Sequence, residues 1–303
     1  MTKTYNFSNP MYGRKWLRLL RDDPVSGIRI LPDLNLPRRD LGFSFCSNVL
    51  GLRGPADVHA PNVVLGTSFA MGFAVDNGLN WHEKCLDSSW INLGLPIGAR
   101  QMESLFNAIY QGPARTALVL YHPNLWMQTR VFELCRVRGG PIMKAMGWQT
   151  DFWPCVKLAL RRLRWRGHNI RKGELLVFRH GGRKYEMDTL YSKVDFFADP
   201  EVVSLVLDTM GRILARFEHV IVIRTLIKQE MVPVKFQNDL LRSSLLNYDE
   251  GWELFQSQLG SHPRIEFHVT EGFTLEDFFP QDNHWTLEGN EKFAQLVQRL
   301  LQG

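Results

Sequence analysis

Val63-Val64-Leu65-Gly66-Thr67-Ser68-Phe69-Ala70-Met71-Gly72 is the stretch whose reading decides the fold. Its apolar start shows no polar alternation, which reads as a strand buried on both faces, as in a parallel sheet. The run breaks at Gly66-Thr67-Ser68, so the strand ends in a turn that carries a hydroxyl. The carboxyl ends of strands in open α/β sheets are where ligands bind. A serine there is expected at a helix N-terminus, its own N–H directed at a developing oxyanion. The competing reading is a serine that only caps a helix. Because residue 70 is Ala, the segment is not a Gly-x-Ser-x-Gly elbow.

Outward from this strand, four more short apolar runs recur: Trp90 to Leu93, Thr116 to Tyr121, His219 to Arg224 and Arg264 to Val269. Apolar residues at helical spacing fill the stretches between and after them, in Arg100 to Tyr110, Glu201 to Phe217, Asp239 to Leu259 and Leu287 to Leu301. Alternating strand and helix predicts βαβ units, hence a three-layer, doubly wound α/β fold around a parallel sheet. Two regions break the rhythm. Residues 1–60, rich in Pro, Gly and Arg, are expected to pack over the sheet as an N-terminal segment. Residues 128–199 separate a first core part (61–127) from a second (200–303) and read as an inserted cap. Within it, two β-like runs between Glu174 and Met187 flank Gly181-Gly182, the signature of a tight hairpin.

The formal charge is +5, and the excess is local: Phe152 to Tyr185 holds ten Lys/Arg against one acid, Glu174. That points to a surface patch on one part of the chain, not to a general nucleic-acid binder. Within the patch, Phe152 to Arg166 reads as a basic amphipathic helix, with Val156, Ala159, Leu160 and Leu163 on one face and Lys157, Arg161 and Arg164 on another. It is expected to pack on the sheet domain as a cap helix. The alternatives are weak peripheral contact of residues 152–172 with an anionic membrane, or gathering of an anionic substrate. Aromatics interleave with the basic residues, but no nucleic-acid module surrounds them. Cys46, Cys85, Cys135 and Cys155 have neither CxxC spacing nor a matching histidine pattern, so neither a zinc site nor a disulfide framework is expected, and no cofactor is called for. The chain shows no secretory h-region and no apolar window long enough to span a bilayer, which makes cytoplasmic the expected location.

A serine hydroxyl needs a base within hydrogen-bond reach, and the base needs a partner for its other nitrogen. Asp282-Asn283-His284, just before the final amphipathic helix, offers both from one loop, with Thr286 as the helix N-cap. Ser68, His284 and Asp282 are therefore the candidate nucleophile, base and orienting carboxylate. The plain alternative is an ordinary polar loop before a helix. The other histidines have no ligand spacing to one another; His122, two residues before Asn124 at a strand end, is the one to watch.

Together these blocks resemble the SGNH, or GDSL-type, hydrolase superfamily. Gly66-Thr67-Ser68 corresponds to the family's Gly-Asp-Ser, with Thr67 in place of the aspartate. Asn92-Leu93-Gly94-Leu95-Pro96-Ile97-Gly98 corresponds to its second block, and Leu120-Tyr121-His122-Pro123-Asn124 to its third, without the usual glycine and second aspartate. Asp282 and His284 match the last block at a spacing one residue shorter than the commoner one. Asn48-Val49-Leu50-Gly51-Leu52-Arg53-Gly54-Pro55 looks like the lead-in of a bacterial branch related to polysaccharide O-acetyl esterases and acetyltransferases. The resemblance spans roughly residues 45–125 and 200–303. It implies an SGNH, flavodoxin-like sheet and an oxyanion hole built from the Ser68 N–H, the backbone at Gly98 (or Ile97 or Gly94) and the Asn124 side chain. It also implies ester hydrolysis through an acyl-enzyme, with a glycan or small-molecule ester as substrate. Transfer of the acyl group to a sugar hydroxyl, or a catalytically inactive binding module, are the competing outcomes.

Overall fold

The computed structural model describes residues 20–23, 25–37, 43–137, 175–188, 199–280 and 283–302. Two short antiparallel pairs come first: β1 (Leu20–Asp23) with β2 (Gly27–Ile30), and β3 (Asn35–Leu36) with β4 (Phe45–Cys46). The central sheet then starts at β5 (Asn62–Gly66), followed by α1 (Trp81–Cys85), β6 (Trp90–Asn92), α2 (Ala99–Ile109), β7 (Thr116–Tyr121) and α3 (Asn124–Val137). A hairpin of β8 (Leu175–His180) and β9 (Arg183–Asp188) precedes α4 (Pro200–Leu214), β10 (His219–Arg224), α5 (Asp239–Leu259), β11 (Ile265–Val269) and α6 (Leu287–Gln302).

All five apolar runs are strands of one parallel sheet, in the order β11-β10-β7-β5-β6. Counted along the chain this is 2-1-3-4-5, the order of flavodoxin-like folds, whose topological switch point lies between the first and third strands. Strand side chains alternate between two cores. Val63, Leu65, Ala117, Val119, Val220 and Val222 face one core with residues of α2, α4 and α5. Val64, Leu118, Leu120, Ile221 and Ile223 face the other, with Trp81 of α1 and Phe293 and Val297 of α6. Both sheet faces are covered, which is why β5, β6, β7 and β10 read as continuous apolar runs, while the edge strand β11 is only partly buried. Each large apolar side chain so buried contributes roughly 1.5–3 kcal/mol.

The structure departs from the sequence reading in two places. The segment before residue 60 contains strands: β1–β2 and β3–β4 are pairs too short to show a period. The 127/128 boundary falls inside α3, whose Thr129 hydroxyl accepts from the Ala99 N–H at the start of α2, 2.8 Å away. Helix α3 therefore packs on the core, and the irregular region starts after it. The predicted hairpin is present, turning at Gly181 (φ 56°) and Gly182 (φ 76°), the paired left-handed residues a two-residue turn of this hand requires. It packs Phe178 and Tyr185 against Val232, Leu241 and Leu275. The predicted basic helix at 152–166, and with it the membrane-contact stretch 152–172, lies outside the described residues. Among the described residues, no helix is long and apolar enough to cross a membrane, and no group of His, Cys, Asp and Glu is arranged to hold a metal.

Candidate active site

Register alone brings the first two residues together. Gly66 of β5 pairs with Leu120 of β7, so Ser68 and His122 each lie two residues beyond one matched rung, at the switch point. Gly66 is at φ 147°, and a Cβ there would sit 2.8 Å from the Ala70 Cβ and 3.0 Å from the Leu120 carbonyl. Only glycine lets the chain leave β5 so close to β7.

Ser68 does not start a helix. Residues 68–74 form successive turns, and the next helix is α1. The expectation of a serine at a helix N-terminus is therefore corrected, and the reason is physical. Gly72 and Ala74 adopt left-handed φ values of 69° and 73°, which no α-helix continues through. Side chains also take the segment's carbonyls. Trp81 Nε1 donates to Phe69 O (2.9 Å), Asn92 Nδ2 to Ala70 O (2.9 Å) and His82 Nε2 to Met71 O (3.2 Å). Arg53 donates to Gly72 O through Nη1 and to Val75 O through Nη2, the latter at 2.7 Å. Burial lowers the Arg53 guanidinium to about 10, still charged at neutral pH, and lowers His82 to about 3, with the Arg53 charge adding to the latter. None of these four side chains was assigned a role from sequence. Arg53 lies in the lead-in segment 48–55, but besides Asn77 Oδ1 (3.1 Å) it binds main-chain carbonyls, and no residue pattern reveals which carbonyls a side chain will meet.

His284 reaches the same point from the other end of the chain. Its Nε2 lies 2.9 Å from Ser68 Oγ, across 216 residues of sequence. The imidazole stacks on Phe69 (4.9 Å between centroids) and meets Phe73 edge-on at the same distance. Its loop is short and closed: Phe279 N–H donates to His284 O at 3.1 Å, and Phe278 bridges to Trp285. Beyond it, Thr286 caps α6 as expected, accepting from Gly289 and Asn290. Asp282, the expected orienting carboxylate, lies outside the described residues.

The candidate oxyanion donors fall in different places. Asn124 opens α3, half-buried, and its N–H donates to His122 Nδ1 at 3.1 Å. His122 is buried and stacks on Phe69 at 4.2 Å. Burial, with the nearby His284 adding to it, holds His122 well below the ordinary imidazole range. The ring is therefore neutral at neutral pH, and with Nδ1 accepting, its proton is on Nε2. Of the second-block residues, Gly94 touches the nucleophile segment: a Cβ there would lie 2.6 Å from Met71 N. Its N–H, however, donates to Asn92 Oδ1 (2.8 Å), and that of Ile97 to Leu95 O (2.8 Å). Gly98 caps α2, and the atoms nearest a Cβ at that position belong to Thr129 and Gln101.

The site is thus a buried hydroxyl in hydrogen-bond contact with an imidazole, walled by Phe69, Phe73 and Trp285 and flanked by a second, neutral imidazole. No family model and no curated protein matches the chain. One solved structure aligns with 80% of this chain and 97% of its own, at 13% identity and a TM-score of 0.40.

Proposed function

We propose that the chain is a serine-dependent ester hydrolase of the SGNH type, acting on a carbohydrate O-acetyl or other small ester through a covalent acyl-enzyme. The observation that carries this reading is the 2.9 Å contact between Ser68 Oγ and His284 Nε2. Two segments far apart in the chain bring a hydroxyl and an imidazole together at the sheet's switch point, the pairing that a nucleophile and its base need. The flavodoxin-like strand order and the serine following the first core strand support the SGNH assignment.

In this mechanism His284 accepts the Ser68 proton as Oγ attacks the ester carbonyl. The oxyanion of the tetrahedral adduct takes hydrogen bonds from the Ser68 N–H and the Asn124 side chain, with the backbone at Gly98 assigned as a third donor from the family resemblance alone; one such donor lowers the barrier by about 3–4 kcal/mol. Collapse breaks the bond to the alcohol, which leaves with the proton from His284. Water then attacks the acyl-Ser68 carbonyl while His284 takes its proton. The second adduct expels Ser68 Oγ, which regains a proton, and releases the carboxylic acid. Asp282 is assigned from sequence to hold His284 Nδ1–H.

The test is covalent labelling by a fluorophosphonate probe together with turnover of p-nitrophenyl acetate. The wild-type chain should take one adduct at Ser68. Ser68→Ala should take none, and its turnover should fall by about 10⁴-fold or more. Labelling elsewhere, or turnover that survives the substitution, removes Ser68 as the nucleophile.

A further inference from the structure

Lys228 opens a single 3-10 turn after β10 and is fully buried. Its ammonium donates to three main-chain carbonyls: Glu186 O on the hairpin (2.9 Å), and Phe279 O (2.8 Å) and Pro280 O (2.9 Å) on the loop that carries His284. Three acceptors use all three donors of an ammonium. The hairpin adds a bond of its own, from Glu186 N–H to Pro280 O at 2.8 Å. The turn that presents Lys228 is itself fixed to the sheet. Glu230 accepts from the Ile227 N–H (2.7 Å) and pairs with Arg224 at the end of β10 (2.8 Å).

Taking an ammonium out of water costs several kcal/mol, and only well-placed acceptors offset it. What the ammonium supplies is a common point for two backbones that are otherwise joined by the Glu186 N–H to Pro280 O bond. One is the hairpin; the other is the start of the loop closed by Phe279 N–H and His284 O. We propose that Lys228 is a positioning residue for the base: it fixes the 279–284 loop to the β8–β9 hairpin and so sets His284 against Ser68. The inserted hairpin then governs the reaction rate without touching the reacting atoms. This rests on the serine–histidine reading above.

The experiment compares Lys228→Met, Lys228→Gln and Lys228→Arg in the full chain, by p-nitrophenyl acetate kinetics, fluorophosphonate labelling and amide hydrogen exchange. In Lys228→Met, kcat should fall by about 100-fold, the scale of a misplacement near 1 Å, with KM within about twofold of wild type. Peptides covering 276–286 and 183–188 should exchange faster, while those of β5, β7 and α2 keep their protection. Arg, which retains charge and donors, should restore most of kcat, and Gln an intermediate share. Wild-type kcat and exchange in Lys228→Met would overturn the proposal, as would loss of protection spread evenly over the sheet. Where Met prevents folding, the Gln and Arg variants are read by the same criteria. Were wild type itself unlabelled and inactive, the esterase reading would fall, and the exchange pattern would still decide whether Lys228 joins hairpin to loop.

Discussion

The segments carrying Ser68 and His284 are both irregular, and both are held by side chains donating to main-chain carbonyls, but the donors come from different distances. For the nucleophile, Arg53, Trp81, His82 and Asn92 all lie within 22 residues of the carbonyls they bind. For the base, Lys228 is 51 and 52 residues from its two carbonyls and draws in the hairpin as well. The donors that hold the Ser68 segment thus all come from the first half of the sheet. The start of the His284 loop is held by a residue from the second half of the sheet, Lys228, and by the β8–β9 hairpin. Damage to the first set of bonds should therefore appear mainly as lost stability, and damage to the second mainly as lost rate.

The largest expected effect on stability comes from Arg53. Arg53→Met fills a similar volume but leaves the Gly72 and Val75 carbonyls without their donor, while Asn77 Oδ1 keeps the Cys46 N–H. At about 1–3 kcal/mol for each buried acceptor left unsatisfied, the loss should be about 4 kcal/mol. Urea unfolding, with the slope checked for constancy, measures it. A loss under about 1 kcal/mol would break the comparison, because the remaining side chains would then suffice to hold the nucleophile segment.

The sheet was legible because four of its five strands are buried on both faces and read as short continuous runs such as Val220-Ile221-Val222-Ile223, whereas the edge strand β11 carries Glu266 and His268. The hairpin was legible from Gly181-Gly182, since two left-handed residues in succession demand that chemistry. Ser68 and His284 were legible as residue types at strand and helix boundaries. What holds them was not. Arg53, His82 and Lys228 bind carbonyls, and every residue has a carbonyl, so the sequence carries no mark of which ones will be met. The turn after Ser68 was missed for the same reason: Phe69-Ala70-Met71 has no objection to a helix until side chains from elsewhere claim its acceptors. The β3–β4 pair, two residues to a strand, is too short to show any period.

Gly94 offers a sharper cut, because the atoms nearest to it belong to the segment that follows Ser68. An alanine Cβ would lie 2.6 Å from Met71 N and 2.7 Å from the Ala70 Cβ, so the Ser68 turn must move. Gly94→Ala should cost about 2 kcal/mol, the usual scale of overpacking. Fluorophosphonate labelling should slow as Ser68 is displaced, while hydrogen exchange in 276–286 stays as in wild type. Faster exchange in that loop would show that the two segments are one mechanical unit and not two.

The smallest effect is a pH dependence confined to the nucleophile side. Burial, reinforced by the Arg53 charge and opposed by the Met71 carbonyl, lowers the folded His82 to about 3 from an ordinary 6.5. Acidification through 6.5 protonates the unfolded chain first, so it binds more protons than the fold does. The stability His82 contributes as a neutral donor is thus complete above 6.5 and is lost progressively as pH falls toward 3. Between pH 7.5 and 5.5 the loss should be about 1 kcal/mol. His122, held low for similar reasons, contributes in the same direction, so the wild-type slope alone does not isolate His82. His82→Gln does, because glutamine can still donate to Met71 O but cannot titrate, while His122 is unchanged. The wild type should therefore lose about 1 kcal/mol more than His82→Gln over that interval, read from urea midpoints at the two pH values. Parallel losses would mean that His82 takes up its proton within the fold, and that Met71 is held in place by something other than a neutral imidazole.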